Sequence, residues 1–124
     1  MREDKLFLKD MLEAIENIRK YAGQGIEIFQ NNELIQTWMI HHLQIIGEAA
    51  RKISEPLKKQ YPEIPWNQII AMRHILVHDY FGVDINEIWF TIEKDIPVLN
   101  DKIQFILFQN CLFYEKYFQF RHIF

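Results

Sequence analysis

The sequence predicts an all-α fold, an antiparallel up-and-down bundle of four to five helices. Three observations support this prediction. Apolar residues recur every three or four positions in four long blocks, which is the spacing of a helix with one buried face. Residues that typically start or stop helices lie between these blocks. The length of 124 residues suits one hydrophobic core, so we expect a single domain over residues 1–124.

The first block runs from about Asp4 to Tyr21 and predicts a helix that faces the core. Its apolar stripe consists of Leu8, Met11, Leu12, Ile15, Ile18 and Ala22. Gly23 and Gly25 are expected to end this helix, because glycine favours helix termination. Residues 25–32 are predicted to form a short linker. Its last two residues, Asn31 and Asn32, are both candidates to cap the next helix.

The second block runs from about Glu33 to Ile53 and is apolar on nearly every side in its first half. A helix of this type is buried on two sides. The second buried side faces either another protomer or the centre of a monomeric core, and the pattern leaves both possibilities open.

The region between the second and third blocks contains several prolines and is predicted to interrupt the helices. Residues 58–65 are the expected breaker segment. Just before them, Ser54-Glu55-Pro56 could start a short helical turn, since proline is tolerated early in a helix.

The third helix is predicted from about Pro65 to about Tyr80, with Gly82 as its stop signal. Residues 84–87, Asp-Ile-Asn-Glu, form a capping box that opens the fourth helix. The connection between them would then be two or three residues long. Helices three and four are therefore predicted to be antiparallel neighbours.

The fourth block has the clearest helical stripe in the chain. Its members are Ile85, Ile88, Trp89, Ile92, Ile96, Leu99, Ile103 and Ile106. Pro97 lies inside this block and is predicted to kink or break the helix. Residues from about 105 to 124 form an atypical extension with six phenylalanines and two tyrosines. We expect an additional core or interface helix there, and a sticky or poorly ordered tail is the alternative.

Composition restricts the classes of function. The net charge is −3, whereas proteins that bind nucleic acid through many phosphate contacts are usually basic. Contact with RNA would therefore need a local cluster or surfaces joined by oligomerisation. The single cysteine, Cys111, excludes an internal disulfide and fits a reducing cytoplasm. The charged N-terminus lacks the apolar core of a signal peptide, and no run of about 18 uncharged apolar residues predicts a membrane span. We expect a cytoplasmic protein that does not contact a membrane.

The residues most suited to chemistry cluster at the end of the third helix: Arg73, His74, His78, Asp79 and Tyr80. Arginine binds phosphate through a two-pronged contact, and histidine transfers protons near neutral pH. These groups suit cleavage of an RNA phosphodiester, in which the 2′-hydroxyl loses a proton, the phosphate charge is stabilised and the leaving oxygen gains a proton.

Helix geometry complicates this prediction. Arg73 and His78 are five residues apart, so in a straight helix they point about 140° apart. They can meet at one phosphate only if the helix end is distorted, or if a second protomer brings its own copy of the helix end to the site.

Other interpretations of the same residues stay open. A histidine near a helix C-terminus often only complements the helix dipole. His74 and His78 have a spacing also found in metal ligands, with Asp79 as a candidate third ligand, but with no cysteine nearby we expect no metal and no cofactor. Glu48 could pair with Arg73 and hold it, or face solvent, and Gly47 beside it allows a close helix approach. The neighbouring pair His41-His42 is expected to be partly buried or interfacial rather than catalytic.

At these residues the chain resembles the HEPN superfamily, and within it the HepT-like toxins, whose motif is Arg, four residues, His, one residue, Tyr. Here the motif is Arg73, His78 and Tyr80. Similar segments occur at residues 45–50 (Ile-Ile-Gly-Glu-Ala-Ala), 62–66 and 80–84, and the resemblance covers roughly residues 4–103. His74 departs from the family pattern, where asparagine or another polar residue is usual. The residues after about Phe105 also look unlike the family.

The resemblance implies an all-α homodimer and a metal-independent endoribonuclease whose active site is shared by the two protomers at their interface. Arg73 would bind phosphate and His78 would act in acid–base catalysis, with His74, Asp79 and Glu48 in supporting or substrate-binding positions. The implied substrate is an RNA, either tRNA or mRNA. The implied partner is an MntA-like minimal nucleotidyltransferase antitoxin, which attaches AMP to the motif tyrosine, here Tyr80. The alternative function is a non-catalytic HEPN module that scaffolds such a nucleotidyltransferase.

Overall fold

The computed structural model describes the backbone of residues 2–79 and 82–123 and the side chains of residues 3–79 and 82–109. Regular structure within these residues is entirely helical, which confirms the predicted all-α class. The helices are α1 (Arg2–Ala22), α2 (Ile26–Asn31), α3 (Glu33–Lys52), α4 (Glu55–Gln60), α5 (Trp66–His78), α6 (Ile85–Phe90), a π-helical segment (Thr91–Asp95) and α7 (Ile96–Ile123).

Helices α1 and α3 pack antiparallel and form one half of the core. At one end of the pair, the indole Nε1 of Trp38 donates a hydrogen bond to the carbonyl oxygen of Asn17 at 2.7 Å. At the other end, the buried carboxylate of Asp4 accepts hydrogen bonds from the backbone N–H of Ser54 at 2.8 Å and from its hydroxyl at 2.5 Å. Leu8, Met11, Ile15 and Ile18 of the predicted stripe are fully buried between these contacts.

Helix α3 lies at the centre of the bundle, between α1 and α5. Gln44 Nε2 donates to the carbonyl oxygen of Leu76 at 3.2 Å, and further along α3 Gly47 faces Ile69 and Arg73, so α3 and α5 also run antiparallel. The two neighbours within one chain account for the two buried sides of α3. A second protomer is not needed to explain its apolar pattern.

Two short helices differ from the predicted loops. Residues 26–31 are helical as α2 rather than a linker, because Phe29 is buried in the core and Gln36 Nε2 satisfies the carbonyl oxygens of Phe29 and Gln30 at the helix end. The breaker segment was predicted to begin at Lys58, but α4 continues to Gln60. Ser54 caps α4, as its residue type predicted.

The sequence predicted a kink or a break at Pro97; the helix does not break there, and its type changes just before the proline. Residues Thr91–Asp95 form a π-helical turn in which the N–H of Ile96 donates to the carbonyl oxygen of Thr91, five residues back. In a regular α-helix the ring of Pro97 would clash with the carbonyl of Glu93, and that carbonyl would lose its donor. A wider π turn just before the proline gives the ring room, so the backbone continues into α7.

The third and fourth helical blocks are not the direct neighbours that the sequence predicted. The connection spans residues 79–84, six residues instead of two or three, and α5 packs chiefly against α3 while α7 packs against α1. A groove of about 500 Å³ separates α5 from the start of α7, with Ile69 and Met72 on one wall and Val98 and Leu99 on the other. Helix α5 is therefore supported mainly from one side.

The aromatic extension continues α7 as a helix to Ile123. Within its described side chains, Ile106 is fully buried and Phe105 and Phe108 are exposed. The prediction of a core or interface helix beyond residue 109 concerns side chains outside the described residues. In the described part of the chain, no helix combines the length and apolar character needed to cross a bilayer.

Candidate active site

Helix α5 separates the candidate residues onto two faces. One face packs on α3 and carries Trp66, Ile69, Arg73 and Leu76, of which only Arg73 is not buried. The opposite face carries Ala71, His74, Ile75 and His78, all of which are exposed. These are the two helical stripes that a straight helix generates from spacings of three and four residues. Arg73 and His78 therefore belong to different faces of one helix.

Arg73 is anchored by Glu48 across the α3–α5 contact. The Nε atom of Arg73 lies 3.0 Å from Glu48 Oε2, and the two side chains are 33% and 30% exposed. The backbones come this close because residue 47 is glycine: a Cβ atom there would lie only 2.3 Å from Arg73 Cβ and 3.1 Å from the Ile69 carbonyl oxygen. Of the two alternatives that the sequence left open for Glu48, the structure has the pairing with Arg73, and Gly47 lies where the two helices approach closely.

The anchor uses only one edge of the guanidinium. Its contact with Glu48 involves Nε, and the two terminal nitrogens of Arg73 donate no hydrogen bond to the described residues. A phosphate binds arginine well through paired N–H groups. Arg73 is thus fixed in direction while keeping donors available for an anion.

Glu48 is shared by three cations. Arg51 donates to it through Nη2 at 2.7 Å and Nε at 3.2 Å, and Lys52 Nζ lies 3.9 Å away. The hydrogen bond from Arg51 is the main reason that the pKa of the Glu48 carboxyl is lowered; partial burial opposes this, and the charges of Arg51, Arg73 and Lys52 support it. The sequence interpretation missed Arg51 and Lys52, although their spacings of three and four residues from Glu48 are the signal of a helical ion pair.

His74 and His78 lie side by side on the exposed face. Their ring centroids are 4.5 Å apart, with a 51° angle between the ring planes. The helix remains regular through His78, since the N–H of Asp79 still donates to the carbonyl oxygen of Ile75 at 2.8 Å. A distorted helix end, one of the two routes by which Arg73 and His78 could meet, is therefore not what the structure shows.

Asp79 ends the helix and leads into the connection. Its backbone leaves the helical region, with φ −130° and ψ 45°. Its carboxylate rests so close to Gly82 that a Cβ atom there would lie 2.7–2.8 Å from both oxygens. Gly82 thus serves the turn, but it is not the helix stop that the sequence predicted, because α5 ends at His78 with Asp79 as its C-cap and the φ of Gly82 is not positive. Tyr80, the third motif residue, lies outside the described residues.

Comparison with known proteins assigns the chain to a family. The sequence profile of the family described as "Ribonuclease HepT-like" matches residues 11–106. The chain belongs to the HepT-like ribonuclease family. It is 40% identical over 104 residues to a protein from Thermococcus cleftensis named "Probable ribonuclease HepT", an alignment that covers 83% of this chain and 94% of that protein.

Other HepT-like relatives show similar coverage. A protein from Methanocaldococcus jannaschii named "Putative RNase" is 32% identical over 106 residues, which is 85% of this chain and 97% of the relative. A protein of the same description from Caldanaerobacter subterraneus is 32% identical over 108 residues, covering 86% of this chain and 96% of the relative. No solved structure matches the chain significantly. The family match ends at residue 106, just inside the aromatic extension.

A second histidine pair of this HepT-like chain lies on α3, away from Arg73. His41 is exposed, whereas His42 is only 7% exposed and neither of its ring nitrogens has a hydrogen-bond partner among the residues that the structure describes. Burial is the largest cause that lowers the pKa of His42; the charges of His41 and Lys20 add to it and that of Glu13 opposes it. The prediction of a partly buried pair fits this arrangement.

Metal ligands do not converge in the described part of the chain. Within residues 3–79 and 82–109, no three side chains of His, Cys, Asp or Glu lie close enough to hold an ion together. In particular, Asp79 does not complete a three-ligand set with His74 and His78.

Proposed function

We propose that this chain is a metal-independent endoribonuclease toxin whose active site is composed from two protomers. The observation that carries the proposal is the state of Arg73, which Glu48 holds through Nε while its terminal nitrogens remain available. Membership of the HepT-like ribonuclease family supports RNA as the substrate.

In the proposed mechanism, the terminal nitrogens of Arg73 bind the scissile phosphate and stabilise the charge that develops on its oxygens. A histidine accepts the proton of the 2′-hydroxyl, whose oxygen attacks phosphorus while the bond to the 5′-oxygen breaks. A proton delivered by a histidine completes the departure of the 5′-oxygen. We assign these proton transfers to His78.

The two faces of α5 support the proposal of a second protomer. His78 lies on the face opposite to Arg73, so His78 from a second copy is the one that reaches the phosphate bound by Arg73. The exposed face also carries an uncovered apolar side chain, Ile75, which is 53% exposed. We place the two-fold interface so that it covers Ile75 and extends to the partly exposed edge of α5 where Arg73 lies, which brings two copies of Arg73 to one cleft and provides the positive charge that the chain lacks as a whole.

We further propose that the partner is an MntA-like nucleotidyltransferase antitoxin and that it silences the toxin by attaching AMP to Tyr80. The tyrosine is two residues from His78 in sequence. An added AMP brings bulk and negative charge close to the arginine that binds phosphate, so it excludes RNA from the site.

RNA cleavage by the purified chain tests the catalytic proposal. We expect Arg73→Ala and His78→Ala each to reduce cleavage by about 10²-fold or more, the usual contribution of a general acid or base. His41→Ala is the matched control, because it removes another exposed histidine on a different helix. If both α5 variants cleave RNA and arrest growth as the parent does, the assignment is wrong. Sedimentation that finds only a monomer would contradict the shared site.

Co-expression with a neighbouring nucleotidyltransferase gene tests the regulatory proposal. Mass spectrometry should find whole AMP units on the chain, and Tyr80→Phe should abolish them. Tight binding to the transferase together with no RNA cleavage by unmodified chain would instead favour the non-catalytic scaffold.

A further inference from the structure

We propose that His74 and His78 form a binding site for a zinc ion, and that zinc bound there inhibits the enzyme. The two residues are four apart on one face of a helix, the arrangement in which two imidazoles reach a single ion in helical zinc motifs. Both are exposed in the single chain, and in the proposed dimer they line the cleft that RNA must enter, so an ion can reach them. Inhibition rests on the proposed role of His78, whereas binding does not.

The observed geometry fits two imidazoles on one ion. Zinc–nitrogen bonds of about 2.0–2.1 Å at a tetrahedral angle place the centres of two imidazole rings about 5 Å apart. The ring centroids of His74 and His78 are already 4.5 Å apart. The centroid separation is thus close to that of two imidazoles on one ion, and side-chain rotations that turn one nitrogen of each ring toward the other would complete the pair. Water fills the other positions.

The electrostatic surroundings also favour a cation. The pair lies in the last turns of α5, where the unpaired carbonyls give the helix end partial negative charge. The carboxylate of Asp79 follows directly and, although it rests against Gly82, it adds negative charge nearby. The closest arginine in the sequence, Arg73, is paired with Glu48 on the other face of the helix.

Zinc bound to His78 occupies the nitrogen lone pair that the proposed mechanism uses for proton transfer. The imidazole then neither accepts nor donates a proton at that atom, so cleavage stops. In this proposal His74 provides the second ligand, so that zinc binds His78 as part of a chelate of two histidines.

Calorimetric titration with zinc chloride, on protein freed of metal, tests the site directly. We expect His74→Asn to weaken zinc binding by on the order of tenfold or more, since the chelate is reduced to one imidazole. His41→Asn is the control and should bind as the parent does. A zinc site elsewhere, for example at Cys111, would not respond to His74→Asn. Equal zinc affinity of His74→Asn and the parent would overturn the proposal.

Inhibition is measured as the zinc concentration that halves RNA cleavage, with each protein normalised to its own metal-free rate. That concentration should rise about tenfold in His74→Asn, in step with the binding constant. Zinc that binds the pair without slowing cleavage would refute inhibition and contradict the role of His78, while the metal site would stand. Absence of cleavage without zinc would refute the proposed function, and the titration would still decide the metal site.

Discussion

Replacing Gly47 by alanine should push α3 and α5 apart. The new Cβ atom would lie 2.3 Å from Arg73 Cβ, whereas ordinary contacts begin at 3.4 Å, so one helix must move by roughly 1 Å. Arg73 Cβ is attached directly to the backbone and cannot rotate away. The Ile69 carbonyl oxygen, 3.1 Å from the new atom, blocks a second direction.

The expected loss of stability combines two opposing effects. Overpacking of a tight contact costs about 1–3 kcal/mol. Replacing glycine by alanine within a helix stabilises the helix by about 0.5–1 kcal/mol, which opposes that cost. The net destabilisation should lie between about 0 and about 2.5 kcal/mol, with a centre near about 1 kcal/mol, which corresponds to a fall in Tm of about 4 °C for a domain of this size.

Thermal unfolding followed by circular dichroism measures this effect. Gly23→Ala is the matched control, because no atom lies within 4 Å of the added Cβ and its φ is not positive. Cleavage measured well below Tm should also fall, since Arg73 moves with α5 and small displacements at a site are costly. A Gly47→Ala variant as stable as the Gly23→Ala control would refute the close contact on which the anchoring of Arg73 depends.

Two further predictions concern acid. Glu48→Gln should cost no more than about 1 kcal/mol at neutral pH, as the ion pair is partly exposed. The folded-state pKa of Glu48 is lowered, so its ionised carboxylate stabilises the fold above the ordinary value of 4.5, and this stabilisation is lost as pH falls below it. Urea titrations should therefore show that the free energy of unfolding falls less on acidification in Glu48→Gln than in the parent. Equal falls would contradict this. The lowered pKa of His42 affects stability at higher pH. Below the ordinary value of 6.5, His42 takes up a proton in the unfolded chain more readily than in the folded chain, where its ring is buried, so acidification favours unfolding. His42→Leu should therefore reduce the decline in Tm between about pH 7 and about pH 5 relative to the parent, and an unchanged decline would place its cause elsewhere.

The elements that local chemistry determines could be predicted from the sequence. Asn32, Ser54 and Asp84 each accept a hydrogen bond from a backbone N–H at the start of a helix, as their residue types indicated. Helix α2 was missed because six residues between a glycine and an asparagine resemble a linker. Its stability depends on the burial of Phe29 against distant residues, which no local pattern reveals.

The candidate site divides in the same way. The separation of Arg73 and His78 onto two faces follows from helical periodicity and was predictable. The pairing of Arg73 with Glu48 was left open, because it depends on how α5 docks on α3. The incorrect placement of helices three and four as neighbours arose from underestimating the connection, in which Asp79 and Gly82 form a turn before Asp84 starts the next helix.

The one-sided support of α5 has a consequence for its amide hydrogens. Because α3 holds this helix on one side and a groove of about 500 Å³ separates it from α7, we expect α5 to open without unfolding the bundle. Its amides should then exchange with deuterium faster than those of α1 and α3. Any partner that covers the exposed face would slow this exchange. The exchange rate of the α5 amides would therefore measure whether the candidate active site has assembled.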